Sequence, residues 1–243
     1  ANGTLTNGTT KLEGATVAII QNYTTISGEA FLGATGLTSV TIQNTVASIG
    51  NNAFKDAKML TSITIPKSVT TIGNEAFSGA AGLTEINVDV NNTNYSDVSG
   101  VLFNNDYTSL MKYPEGKLDT SYNIPSGVTS IGNYAFHFAT ALRTVTFEDG
   151  SILTSIGDNA FRSSGLTSIE IPNSVTIIGD KAFQNASSLT SFTFEADSSL
   201  NSIGDYAFAY SGLASITIPK LVTSIESYAF RGTSALTTFT FEA

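Results

Sequence analysis

An Ala-Phe pair recurs along the chain, with its phenylalanines at Phe31, Phe54, Phe77, Phe136, Phe161, Phe183, Phe208 and Phe230, and no other feature limits the fold so tightly. Apart from one interval of 59, successive phenylalanines lie 22 to 25 residues apart. Each is followed five or six residues later by a leucine: Leu37, Leu60, Leu83, Leu142, Leu166, Leu189, Leu213 and Leu236. Most are preceded four residues earlier by the glycine of an Ile-Gly pair, as in Ile72-Gly73 and Ile203-Gly204. A unit this short cannot bury its own apolar edge, so copies must stack on one another into a solenoid.

Two periodicities lie inside each unit. The leucine opens an L-x-x-I-x-I segment, such as Leu60-Thr61-Ser62-Ile63-Thr64-Ile65, whose alternation and β-branched content predict a half-buried strand. The Ile-Gly that follows predicts a turn with the glycine at positive φ. Asn-Glu-Ala-Phe and its equivalents then predict a short helical or 3-10 turn with Ala and Phe pointing inward. The expected class is an α/β repeat solenoid: a right-handed coil with a parallel concave sheet and short helical or 3-10 convex turns.

The segment Leu60 to Phe77 reads L-T-S-I-T-I-P-K-S-V-T-T-I-G-N-E-A-F, and Leu166 to Phe183 and Leu213 to Phe230 follow it closely. This pattern resembles the BspA-like, or Treponema pallidum-type, leucine-rich repeat over about nine tenths of the chain. Members of that family often carry Cys three residues after the Phe. Here the position holds Ala34, Ala57, Ala80, Ala139, Ser164, Ala186, Ser211 or Thr233, small side chains without redox chemistry.

One solenoid domain is expected over residues 1–243. Residues 1–30 form a degenerate first coil, with Ser27 where Gly and Ile20 where Pro would stand. The 59-residue interval contains a long island repeat, residues 91–125, in which 101–103 and 109–111 predict a hairpin. Leu110 to Tyr113 and Tyr122 to Ile124 each end at a proline and predict two further regular strands. After Phe136 a 47-residue double unit appears, strands ending Ile-Pro alternating with strands ending Phe-Glu. The sequence stops at Ala243, immediately after a strand and with no polar cap, so truncation of a longer protein is expected.

Composition excludes several functions. The net charge is −9 and the eleven basic residues are scattered, which argues against nucleic acid and anionic membranes. The absence of cysteine removes disulfides, thiolate metal sites and cysteine nucleophiles. No apolar run reaches the roughly 20 residues of a membrane span. Sequons at Asn2, Asn7, Asn22, Asn91, Asn94 and Asn185 matter only in a eukaryotic secretory route.

The outward strand positions define the candidate site: Ser39, Thr41, Ser62, Thr64, Glu85, Asn87, Thr144, Thr146, Ser168, Glu170, Ser191, Thr193, Ser215 and Thr217, continued by Thr238 and Thr240. Such a hydroxyl ladder is either a solvated sheet surface or a shallow face for a protein or glycan. The island aromatics Tyr95, Tyr107 and Tyr113 are a second candidate contact region, with core packing of the island, Phe103 and Tyr122 included, as the alternative. Glu85 and Glu170, the only acids on the ladder, should stand about 19 Å apart by strand spacing, too far for paired glycosidase carboxylates. His137, the single imidazole, is expected on the convex surface. Glu148, Asp149, Glu195, Asp197 and Glu242 are expected to form a solvated acidic rim. Asp89, Asn91 and Thr93 begin like a calcium loop, but Asn94 and Gly100 stand where Gly and Glu are required. No catalytic, cofactor or metal residues are therefore assigned. The family resemblance implies a non-catalytic binding module, extracellular or at a bacterial cell surface, used in adhesion to host matrix proteins or other cells. The alternative is a structural spacer that displays another domain.

Overall fold

The structure, a computed structural model, describes residues 3–5 and 16–243. Sequons Asn2 and Asn7 and most of the first half of the expected N-terminal coil lie outside the described residues. The chain divides into two compact units, residues 1–107 with 112–117, and residues 108–111 with 118–243.

In the first unit the strands are β1 (Gly3–Leu5), β2 (Val17–Ile20), β3 (Tyr23–Ile26), β4 (Ser39–Ile42), β5 (Ser48–Ile49), β6 (Ser62–Ile65), β7 (Thr71–Ile72), β8 (Glu85–Val88), β9 (Tyr95–Val98) and β10 (Val101–Asn104). Next come β11 (Ser109–Lys112), β12 (Ser121–Ile124), β13 (Ser130–Ile131), β14 (Thr144–Phe147), β15 (Ser155–Ile156) and β16 (Ser168–Ile171). The chain finishes with β17 (Ile177–Ile178), β18 (Ser191–Phe194), β19 (Ser202–Ile203), β20 (Ser215–Ile218), β21 (Ser224–Ile225) and β22 (Thr238–Phe241).

Each regular coil contributes a four-residue strand and a two-residue strand. Four-residue strands pair in parallel as β2–β4 and β6–β8 in the first unit, and as β12–β14–β16–β18 and β20–β22 in the second. The two-residue strands, joined by β3 and β11, form a second parallel ladder, β3–β5–β7 in the first unit and β11–β13–β15–β17–β19–β21 in the second. Register is held by the apolar period, because a one-residue slip would turn every Ile outward. Thus Ile169 lies beside Phe192, and Ile156 beside Ile178.

The repeated phenylalanines build a stack along the interior. Phe31, Phe54 and Phe77 lie 5.1 and 5.9 Å apart, nearly parallel. In the second unit Phe136, Phe161, Phe183, Phe208 and Phe230 follow at 4.7, 5.1, 5.3 and 5.2 Å. Small residues three positions beyond, among them Ala57, Ala139, Ser164 and Ser211, are buried as expected.

Two backbone expectations fail. The convex segments contain no helix among the described residues; they are successive turns. Positive φ recurs two residues before and two after the Phe, at Asn52 and Asp56, Tyr134 and Phe138, Asn159 and Ser163, Tyr206 and Tyr210. Left-handed residues at that spacing break a right-handed run and send alternate amides outward. The amides of Asn52, Phe54 and Asp56 donate to Asn74, Ala76 and Ser78 of the next coil at 3.0, 2.7 and 2.9 Å, while those of Ala53 and Lys55 close turns on Gly50 and Asn52. The second failure concerns the Ile-Gly glycines, none of which has positive φ. Gly is needed there for proximity: a Cβ on Gly73 would stand 2.4 Å from the Asn51 backbone nitrogen.

The abundance of Thr has a physical account as well. Thr154 and Thr176 donate their hydroxyls to Thr129 and Thr154 carbonyls of the preceding coil, at 2.9 and 3.0 Å. An Asn/Asp column beside the glycines does the reverse: Asn51, Asn133, Asp158 and Asp180 accept from the amides of Asn74, Asp158, Asp180 and Asp205.

The island differs from its sequence reading. Leu110 does not enter the four-residue ladder; Ser109 and Leu110 pair with Ser130 and Ile131 in the short-strand ladder. Ser121 to Ile124 does join the long strands, beside β14. Both expected hairpin segments, 101–103 and 109–111, are strands. An antiparallel pair not foreseen, β9–β10, turns through Ser99 and Gly100, both at positive φ as a two-residue type I′ hairpin loop requires.

Island side chains stand in for a missing repeat at the edge of the first unit. Asn92 donates to the carbonyls of Pro66 and Val69, and the Tyr95 hydroxyl accepts from the Ile72 amide at 3.0 Å. Asp97 accepts from Val88 at 2.8 Å, and Glu115 from Gly79 at 3.0 Å. The Gly79 amide holds the column position from which Asp56 donates to the next coil. Buried backbone groups that regular stacking would pair are therefore paired by side chains.

Candidate functional site

The strand alternation puts the predicted ladder outward. In the first unit Ser39, Thr41, Thr64 and Glu85 are exposed, while Ser62 and Asn87 are half-buried. Two apolar side chains share that face: Val17 and Ile19, 57% and 63% exposed, lie in register with Ser39 and Thr41. In the second unit Thr146, Glu170, Ser191, Thr193, Ser215, Thr217, Thr238 and Thr240 are exposed, and Thr144 and Ser168 half-buried. Ser121 and Asn123, not among the residues expected from the sequence, extend this face through β12; the Thr146 hydroxyl donates to Asn123 at 2.9 Å. Their signal was present in the proline that ends the segment, as at the regular strands.

Across β14, β16 and β18 the face forms a shallow concavity of about 490 Å³. Thr144, Thr146, Ser168, Ser191 and Thr193 line it with hydroxyls, and Asp149, Glu170 and Glu195 with carboxylates. Glu85 and Glu170 belong to different units. Among the described residues no three of His, Asp and Glu come together as a metal site.

Several candidates are corrected. Tyr113 is buried in the island core, and Tyr95 is only 8% exposed, its ring reaching the edge of a concavity that Tyr107 also lines. Only Tyr107 stays accessible, 46% exposed and tilted on Phe103 at 6.0 Å. His137 is buried too, between Tyr134 and Phe138, whose ring centroids lie 5.5 and 4.0 Å away. The acidic rim is partly structural. Glu148, Glu195 and Glu242 accept backbone amides of Ser126, Asn173 and Lys220, each 22 residues earlier. That spacing explains why Phe-Glu recurs in alternate coils.

Tyr122 is half-buried, its ring 6.0 Å from Phe136, and burial pushes its phenol up to about 12 from 10.0. Burial also raises Tyr95, against a smaller lowering by the Ile72 amide. A raised phenol contributes stability that is complete below pH 10 and lost as pH climbs through about 12. Tyr122→Phe is therefore expected to flatten the fall in thermal stability across that alkaline window, read from melting curves; an unchanged fall would refute the assignment.

Residues 9–115 and 115–237 match the BspA type leucine rich repeat region, in six copies. The chain belongs to this family. No curated protein matches it. Among solved structures it is similar to a leucine-rich repeat protein from Eubacterium ventriosum, at 25% identity and a TM-score of 0.72, covering 98% of this chain and 78% of that one. A leucine rich cell surface protein from Faecalibacterium prausnitzii is also similar, at 25% identity and 0.70, covering 95% and 61%. The pneumococcal vaccine antigen PcpA shares the fold at 24% identity and 0.68, covering 93% and 56%. This chain thus spans less than two thirds of the length of the latter two. Leucine-rich-repeat solenoids are in general non-enzymatic binding scaffolds, and no helix among the described residues is long and apolar enough to cross a membrane.

Proposed function

We propose that this BspA-type repeat protein is an extracellular, cell-surface adhesion module that holds a host matrix protein or another cell through its strand face. One observation carries the reading: consecutive parallel strands present Ser, Thr and Glu outward in register over the concavity of the second unit. Small hydroxyls form hydrogen bonds with little side-chain ordering, so a face of this kind can accept a partner at low entropic cost. The cell-surface description of the similar Faecalibacterium protein supports the compartment.

Thr64→Lys, Thr193→Lys and Thr217→Lys place long cations on exposed positions without touching the buried Ile and Phe rows. Each is expected to weaken binding to immobilised fibronectin, fibrinogen or glycans about tenfold or more, with unchanged melting temperature. Undiminished binding in all three would move the site off this face. The alternative, a spacer that displays another domain, predicts no binding by the isolated chain.

A further inference from the structure

We infer that the strand face of the second unit receives an extended, Lys/Arg-rich segment of a protein partner; this rests on the binding role proposed above and names the occupant. The charge on the face is one-sided. Asp149, Glu170 and Glu195 line the concavity, and no Lys or Arg does. Residues 118–243 carry eleven carboxylates against five basic side chains, a net charge of −6. Three of those five are engaged elsewhere: Arg143 donates to the carbonyls of Thr140 and Gly165, Lys220 lies 3.8 Å from Asp197, and Arg231 covers the rings of Tyr210 and Tyr228.

The carboxylates on the face are available. The side-chain carboxylates of Asp149 and Glu170 form no ion pair or hydrogen bond among the described residues. Glu195 commits one oxygen to the Asn173 amide and keeps the other. They do not converge as metal ligands would. Instead they are distributed one per coil, within or just beyond β14, β16 and β18, over about 10 Å by strand spacing. Alternate side chains of an extended peptide stand roughly 7 Å apart, so basic residues at alternate positions can each meet a different carboxylate. Ser168, Ser191 and Thr193 lie between and can accept the remaining N–H donors of an ammonium or guanidinium. The outward rows of β14, β16 and β18 are Thr, Ser and Glu, and Val145, Ile169 and the half-buried Phe147 reach the concavity only from the inward rows, so a polar main chain can approach.

The test is fluorescence anisotropy of the full chain with a labelled ten-residue peptide of alternating Arg and Ser, beside its Gln-for-Arg counterpart. Asp149→Asn/Glu170→Gln removes two charges from the face. Asp158→Asn/Asp180→Asn removes two from the column where Asn133 already makes the same backbone hydrogen bond. Binding of the Arg peptide, about tenfold weaker in the face variant and less than about twofold weaker in the column variant, is the expected result. Equal losses in both variants, no loss in the face variant, equal binding of the Gln peptide, or no binding by the unmodified chain would each overturn the inference. The Thr193→Lys adhesion assay reads the broader proposal separately: adhesion lost there, with the peptide result negative, retains a binding face and discards the cationic occupant.

Discussion

Glu115→Ala is expected to destabilise the protein by about 3–5 kcal/mol, enough to lower its melting temperature by roughly 10 °C. Glu115 and Lys112 form an ion pair at 3.0 Å, with side-chain exposures of 2% and 8%. The same Oε1 accepts the Gly79 amide at 3.0 Å. Truncation therefore removes at once the ion-pair partner of a buried ammonium and the acceptor of the Gly79 amide. Glu115→Gln, which keeps an acceptor for Gly79 but removes the charge, is expected to recover part of the loss. Urea unfolding of the three proteins measures this; wild-type stability in the alanine variant would refute the role given to the pair.

Gly73→Ala is expected to cost about 3 kcal/mol, although alanine is ordinarily the easier residue to order. The new Cβ would lie 2.4 Å from the Asn51 nitrogen and Oδ1 and 2.6 Å from the Gly50 carbonyl carbon. Two of these contacts are backbone, so relief requires the coils to part and stretches the Asn51–Asn74 hydrogen bond of 2.9 Å. Gly127→Ala is the matched control, because a Cβ there meets nothing within 4 Å. Equal melting temperatures for the two variants would exclude close coil approach as the reason for the glycine column.

The island shows how readily one strand is mistaken for another in a two-ladder coil. Leu110-Met111-Lys112-Tyr113-Pro114 has the alternation and terminal proline of a long strand, yet Leu110 pairs with Ile131 in the short ladder. Both ladders require a buried aliphatic residue flanked by polar ones, so the local pattern does not distinguish them. Tyr95 and Tyr113 were ambiguous for a related reason. An aromatic serves equally as core or as interface anchor, and only its burial decides.

The phenylalanine spacing and the L-x-x-I-x-I alternation were enough to determine the stacking, the inward rows of Leu, Ile and Phe and the outward Ser/Thr face, because these depend on period and polarity alone. Tertiary structure decided the rest. The left-handed positions carry residues as different as Asn52, Lys181 and Tyr206, so no composition signal marks them, and the absence of helix among the described residues follows from amides bonded to carbonyls one coil away. Glycine in the Ile-Gly pair reflects a neighbour 21 to 24 residues earlier and not a local turn. The fates of Glu115 and Glu195, a buried ion pair against a carboxylate on an open face, were likewise set by which coil edge each one met. A linear pattern records each residue's own coil, whereas pairing and desolvation depend on the coil beside it.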